Sequence, residues 1–139
     1  MSVSPEIQST FDYLFATAAK ALKSNRSFAP IASALMANGE RTHSITDLRT
    51  LTSQPAEHII ALIDGLRTQV GRGGVKAAGV VFDSAAPPDI QGGASAICVH
   101  AEIPGEAVQI FVAYSRDRAD EPVFGEPVLQ DALARIFTA

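Results

Sequence analysis

Residues 96–115 read AICVHAEIPGEAVQIFVAYS, two alternating runs divided by Pro104-Gly105. A period of two with β-branched residues at every second position is the signature of paired strands, and a proline-glycine break between two such runs is that of a hairpin. Folding the stretch about Pro104-Gly105 puts Ile97, Val99, Ala101 and Ile103 on one face with Val108, Ile110, Val112 and Tyr114. Cys98, His100 and Glu102 share the other face with Gln109, Phe111 and Ala113. A register change of two residues leaves this division intact, because side chains repeat on a face at that interval. The first set is the expected core face. The second reads as a mixed, half-exposed face.

The rest of the chain is read around this hairpin. Ser4-Pro5 pairs a capping hydroxyl with a proline suited to the first helical turn. Ile7, Phe11, Leu14, Phe15, Ala18 and Leu22 then recur at helical spacing, and Lys20, Lys23 and Arg26 gather toward the negative end of the dipole. A helix ending near Asn25 is predicted. Asn38-Gly39 lies between two extended runs and predicts a second hairpin through a two-residue type I′ turn, with Ala37 opposite Glu40. Ile31, Ser33 and Leu35 then share one face, and Ala32, Ala34 and Met36 the other. Thr52, Ser53 and Pro55 announce a second helix, whose stripe is Ile59, Leu62, Ile63, Leu66 and Val70.

Residues 71–83, GRGGVKAAGVVFD, pose the question of a phosphate cradle. Dinucleotide and P-loop sites run strand, glycines, helix, because free N–H groups at a helix N-terminus hold the anion. Here the predicted order is helix, glycines, strand. Gly71, Gly73 and Gly74 would therefore face carbonyl oxygens and the negative dipole end, and they read as a helix stop followed by a central third strand over 75–83. A Pro-, Gly-, Ser- and Ala-rich loop over 84–95 precedes the 96–115 hairpin. The C-terminal stretch is read as a helix beginning at Pro127 with Leu129, Ala132, Leu133 and Ile136 inward. A short strand ending in 135–137 is the alternative.

At 139 residues, without repeats or a dividing linker, 1–139 is expected to form one domain around one core. The expected class is α+β, with about five mainly antiparallel strands and two or three helices packed on them. The 47% hydrophobic content supports a sizeable interior. A net charge of -4, with 11 Lys and Arg scattered along the chain, argues against nucleic acid as a partner. No basic segment followed by an apolar one opens the chain, and no apolar run is long enough to span a bilayer, so a cytoplasmic protein with no membrane partner is expected. One cysteine can form neither an internal disulfide nor a thiolate-rich zinc site.

Cys98, His100 and Glu102 are the most suggestive chemistry in the chain. Alternation places thiol, imidazole and carboxylate on one side of a strand, where they could ligate a metal or small ligand near the 84–95 loop, or where His100 could activate Cys98. Against this, side chains at i and i+2 stand some 6–7 Å apart along a strand, which strains direct hydrogen bonding. The competing reading is a sheet face in which cysteine acts as a small hydrophobe. His43 and His58 read as solvated or capping residues, and Asp83, at a strand end, as a turn fastener or an acid-base group. No catalytic signature is found, and no cofactor is expected.

The run Ile31-Ala-Ser-Ala-Leu-Met-Ala-Asn-Gly-Glu40 resembles the first hairpin of the roadblock family. The order helix, hairpin, helix, strands, helix is similar to that family's profilin-like architecture. Elsewhere the hairpin pattern resembles short bacterial proteins that bring no activity to carry over. The roadblock resemblance implies homodimerisation and a scaffolding role, with no catalytic residues. The expected function is a non-catalytic interaction or regulatory module that self-associates and binds another protein, using a sheet edge or the face of Cys98, His100, Phe111 and Ala113. The alternative is a ligand- or metal-binding protein or enzyme built on Cys98, His100 and Glu102.

Overall fold

The computed structural model describes residues 3–25, 28–45, 55–85 and 95–138. Thr52, Ser53 and most of the 84–95 loop lie outside these residues. In chain order the elements are α1 (Pro5–Ser24), β1 (Ile31–Met36), β2 (Ser44–Ile45), α2 (Pro55–Arg72), β3 (Val75–Ala85), β4 (Ser95–Ile103), β5 (Glu106–Arg116), β6 (Pro122–Phe124) and β7 (Val128–Asp131). The sheet order is β2-β1-β3-β4-β5-β6, with β7 also on β5, and every pairing is antiparallel. This is the expected α+β class.

Ser4 caps α1 as predicted, its hydroxyl accepting from the Ile7 N–H at 3.4 Å, and Asn25 closes the helix. The buried stripe Ile7, Phe11, Leu14, Ala18 and Leu22 packs on Ile31, Val81, Ile97, Val99, Ala101, Val108, Ile110, Val112 and Tyr114. The predicted core face of the 96–115 hairpin is thus the face that α1 covers. The observed register, Ile97↔Val112, Val99↔Ile110 and Ala101↔Val108, is the one that folding about Pro104-Gly105 demands. On the opposite face α2 sets Ile63 and Leu66 against Ala32, Ala34, Ala78 and Val80, where Ile136 from the C-terminal segment joins them. The sheet is covered on both sides.

Helix, glycines and strand follow in the predicted order, but Gly71, expected as part of the stop, lies inside α2, which runs on to Arg72. Gly73 and Gly74 take φ of 90° and 83° between α2 and β3, and the Gly73 N–H donates to the Val70 carbonyl at 3.0 Å. Left-handed backbone of this kind stops a helix at little steric cost only with glycine.

Two expectations are corrected. The first hairpin closes through a three-residue loop over 37–39, not a type I′ pair. Met36 and Glu40 are hydrogen-bonded, the Gly39 N–H donates to the Met36 carbonyl, and Gly39 but not Asn38 has positive φ. One positive φ fits a type I turn ending in a left-handed residue. The second correction is at the C-terminus, where 127–139 holds no helix among the described residues. Its first part is β7, which lies on the same side of β5 as β6, and 132–138 follows as irregular chain. Residues 125–127, Gly-Glu-Pro, interrupt this outer strand, and the Gly125 N–H still reaches the Ala113 carbonyl at 2.8 Å. A helix this short would be marginal alone, whereas the open edge of β5 supplies hydrogen-bond partners directly. Of the side chains expected inward, Ile136 is buried and Leu133 is 86% exposed. No helix among the described residues is long and apolar enough to cross a membrane.

α1 packs tightly over Gly79, which is flanked across the strands by Ser33 and Ala101. A Cβ there would stand 2.8 Å from the His100 carbonyl oxygen, 2.9 Å from Thr10 Cγ2 and 3.1 Å from Leu14 Cδ1. The first of these is backbone and cannot swing aside. Gly79→Ala is therefore expected to destabilise the fold by about 2 kcal/mol through overpacking, despite alanine's better strand entropy. Chemical denaturation checks this, and a midpoint at or above wild type would contradict it.

Candidate functional site

The suggestive trio lies on β4, with Cys98 opposite Phe111, His100 opposite Gln109 and Glu102 opposite Ala107. The expected half-exposed face is not found. Cys98, His100, Phe111 and Ala113 are 1%, 2%, 8% and 2% exposed, and Glu102 is fully buried. Cys98, Phe111, Ala113 and Ala96 form an apolar cluster of their own, edged by Phe82 and Val128. A contact face for another molecule is therefore not available at these four positions in the single chain, since the chain already buries them.

Glu102 organises the polar part of this face. One carboxylate oxygen, Oε2, accepts from the Arg135 N–H at 2.8 Å and the Ile136 N–H at 3.0 Å. The other, Oε1, accepts from Ile136 and Phe137, each at 3.0 Å. Three successive backbone N–H groups thus converge on one side chain, a concavity suited to an anion. His100 Nε2 lies 2.5 Å from Oε2. An ionised carboxylate offers only acceptors, so the bridging proton belongs to Nε2. Nδ1 of the same ring is buried with no hydrogen-bond partner. The gap that strand rise opens between positions i and i+2 is closed here, because the long glutamate side chain reaches the His100 ring.

Burial is the largest influence on Glu102 and acts to raise its pKa, but the hydrogen bonds from His100, Arg135, Phe137 and Ile136 together outweigh it and hold the pKa below the ordinary carboxylate value. Burial alone pushes the Cys98 thiol up to about 12. A thiol so placed is a poor nucleophile and a poor ligand, since both roles need thiolate. Among the described residues no three His, Cys, Asp or Glu side chains come together as a metal site. The trio reduces to a histidine-carboxylate pair that fastens the C-terminal segment, beside an apolar cysteine.

Asp83 accepts from the Tyr114 hydroxyl at 2.7 Å across β4. Tyr114 is raised to about 12 by burial first, then by that hydrogen bond and the Asp83 charge. His43 is exposed and shares a 2.6 Å hydrogen bond with the Tyr13 hydroxyl. His58 is 4% exposed with Nε2 unpartnered, so the solvated reading is corrected. Arg41, which the sequence reading passed over, reaches Ser9, Thr10 and Ser33 and lies over the Tyr13 ring at 5.2 Å. It ties α1 to the first hairpin.

Sequence reading also missed a groove. Between α2 and the C-terminal segment lies an open hollow of about 410 Å³, lined by Ile60, Ile63, Asp64, Arg67, Ala134, Arg135 and Thr138. It continues along α2 as a second hollow of about 380 Å³ that shares Arg67 and Thr138. The helix periodicity marked Ile63 as inward, but nothing in the sequence placed residues 134–138 beside it. Comparison of the chain with protein-family models, with characterised proteins and with solved structures finds no match.

Two predictions follow from the buried face. Because the folded pKa of Glu102 lies below its unfolded value of about 4.3, the carboxylate's stabilisation is complete above that value. It is lost as pH falls through the folded pKa. Glu102→Gln should cost about 3 kcal/mol at pH 7, since a carboxamide sets a donor against N–H groups. Urea unfolding from pH 7 to pH 3 should show wild type losing more stability on acidification than the variant, and equal losses would refute the assignment. Cys98 should resist a disulfide-exchange reagent at pH 8 in the folded protein and react at once in denaturant; prompt native labelling would contradict its burial.

Proposed function

We propose that this protein is a non-catalytic cytoplasmic interaction module that works as a homodimer and presents a surface to another protein. The observation that carries the reading is the distribution of apolar exposure. The Cys98–Glu102 face is closed, yet Val123 and Leu129 on the outer strand, Leu133 beyond it and Ile60 on α2 are 49%, 37%, 86% and 50% exposed. Single exposed apolar residues are ordinary, but here three of the four fall between 123 and 133, at the open edge of the sheet. An unpaired edge is a template for association unless it is blunted, and Pro122, Gly125 and Pro127 limit how much strand it can offer. That favours side-chain docking over open-ended strand addition. The scaffolding role implied by the roadblock resemblance agrees with this reading.

The chemistry of the site supports the same conclusion. Its carboxylate is saturated by backbone donors and its thiol is buried, so neither is free to meet a substrate. Light scattering on purified protein at high micromolar concentration is expected to give twice the 14.6 kDa chain mass. A monomer at that concentration would overturn the proposal.

A further inference from the structure

We infer that the two copies meet through the groove between α2 and the C-terminal segment, each inserting Leu133 into the groove of the other, with Asp131 of one facing Arg67 of its partner. This rests on the homodimer reading and specifies its surface. Leu133 is the most exposed large apolar side chain among the described residues, at 86%. The groove of about 410 Å³ has Ile60 and Ile63 in its wall and is open to solvent, so it offers an apolar seat for such a side chain. Ile60, itself 50% exposed, would be covered by the same event.

Charge favours a second copy as the occupant. The groove wall carries Arg67 and Arg135 against one acid, Asp64. The edge that carries Leu133 is acidic: residues 121–133 contain Glu121, Glu126 and Asp131 and no Lys or Arg. All three acids are exposed. Opposite charges on the two elements steer them together and disfavour a shifted docking. Knob and groove also lie within a few residues of each other, since Leu133 directly precedes Ala134 and Arg135 of the groove wall. A two-fold interface needs both halves of the contact on one patch of each subunit, and this patch has them.

The test is sedimentation or light-scattering titration of the full chain. Leu133→Asp should raise the dimer dissociation constant at least tenfold and leave the melting temperature of diluted protein unchanged, because the side chain is exposed. Arg67→Glu should also weaken the dimer, and combining it with Asp131→Arg should recover most of the loss. A wild-type dimer indifferent to Leu133→Asp and to Arg67→Glu would overturn this surface while leaving the dimer reading intact. A wild-type monomer would overturn both. Disruption by Arg67→Glu without recovery in the pair would refute the Asp131 contact.

Discussion

A carboxylate taken out of water has to be given donors, and Glu102 obtains them from the far end of its own chain. The N–H groups of Arg135, Ile136 and Phe137 converge on it, with His100 completing the set. Several hydrogen bonds to one buried charge repay its desolvation, which an isolated bond would not. The consequence is positional: residues 132–138 are drawn across the second face of the sheet, and Ile136 is carried into the layer formed by Ile63 and Leu66. The groove beside α2 exists because this segment lies where Glu102 holds it.

The sheet itself obeys a related constraint. Strands β3, β4 and β5 carry apolar side chains on both faces, so each face needs its own cover. One helix supplies the first cover, and the closeness of that helix depends on Ser33, Gly79 and Ala101 lying side by side across three strands. Over β1 and β3 the second cover is composite, α2 with Ile136 of the C-terminal segment, and a composite cover leaves a seam. The exposed groove is that seam, and its charged rim distinguishes it from a simple packing defect.

The same arithmetic explains why a constellation that suggests chemistry performs a structural one. Thiol, imidazole and carboxylate occupy alternate positions of β4, as a ligand set or a nucleophile with its base would. Burial raises the Cys98 pKa to about 12, while backbone donors lower that of Glu102. The environment thus separates the two groups into an inert apolar side chain and a permanent anchor. Residue types alone do not carry chemistry; access and protonation decide it.

Local pattern determined a large part of this molecule. The capped start of α1, the helix-to-strand order through Gly73 and Gly74, and the face assignment of the 96–115 hairpin were all legible, because each rests on backbone geometry within a few residues. What was not legible depends on partners distant in the chain. Whether 127–139 becomes helix or strand is decided by the free edge of β5. Whether the Cys98 face is wet is decided by packing among Phe82, Phe111 and Val128 from other strands, and whether His100 and Glu102 touch is decided by side-chain torsions that period-two reasoning does not contain. Periodicity assigns a residue to a face, but only the folded chain, by bringing Arg135 to Glu102 and Ile136 to Ile63, decides what covers that face and what remains outside.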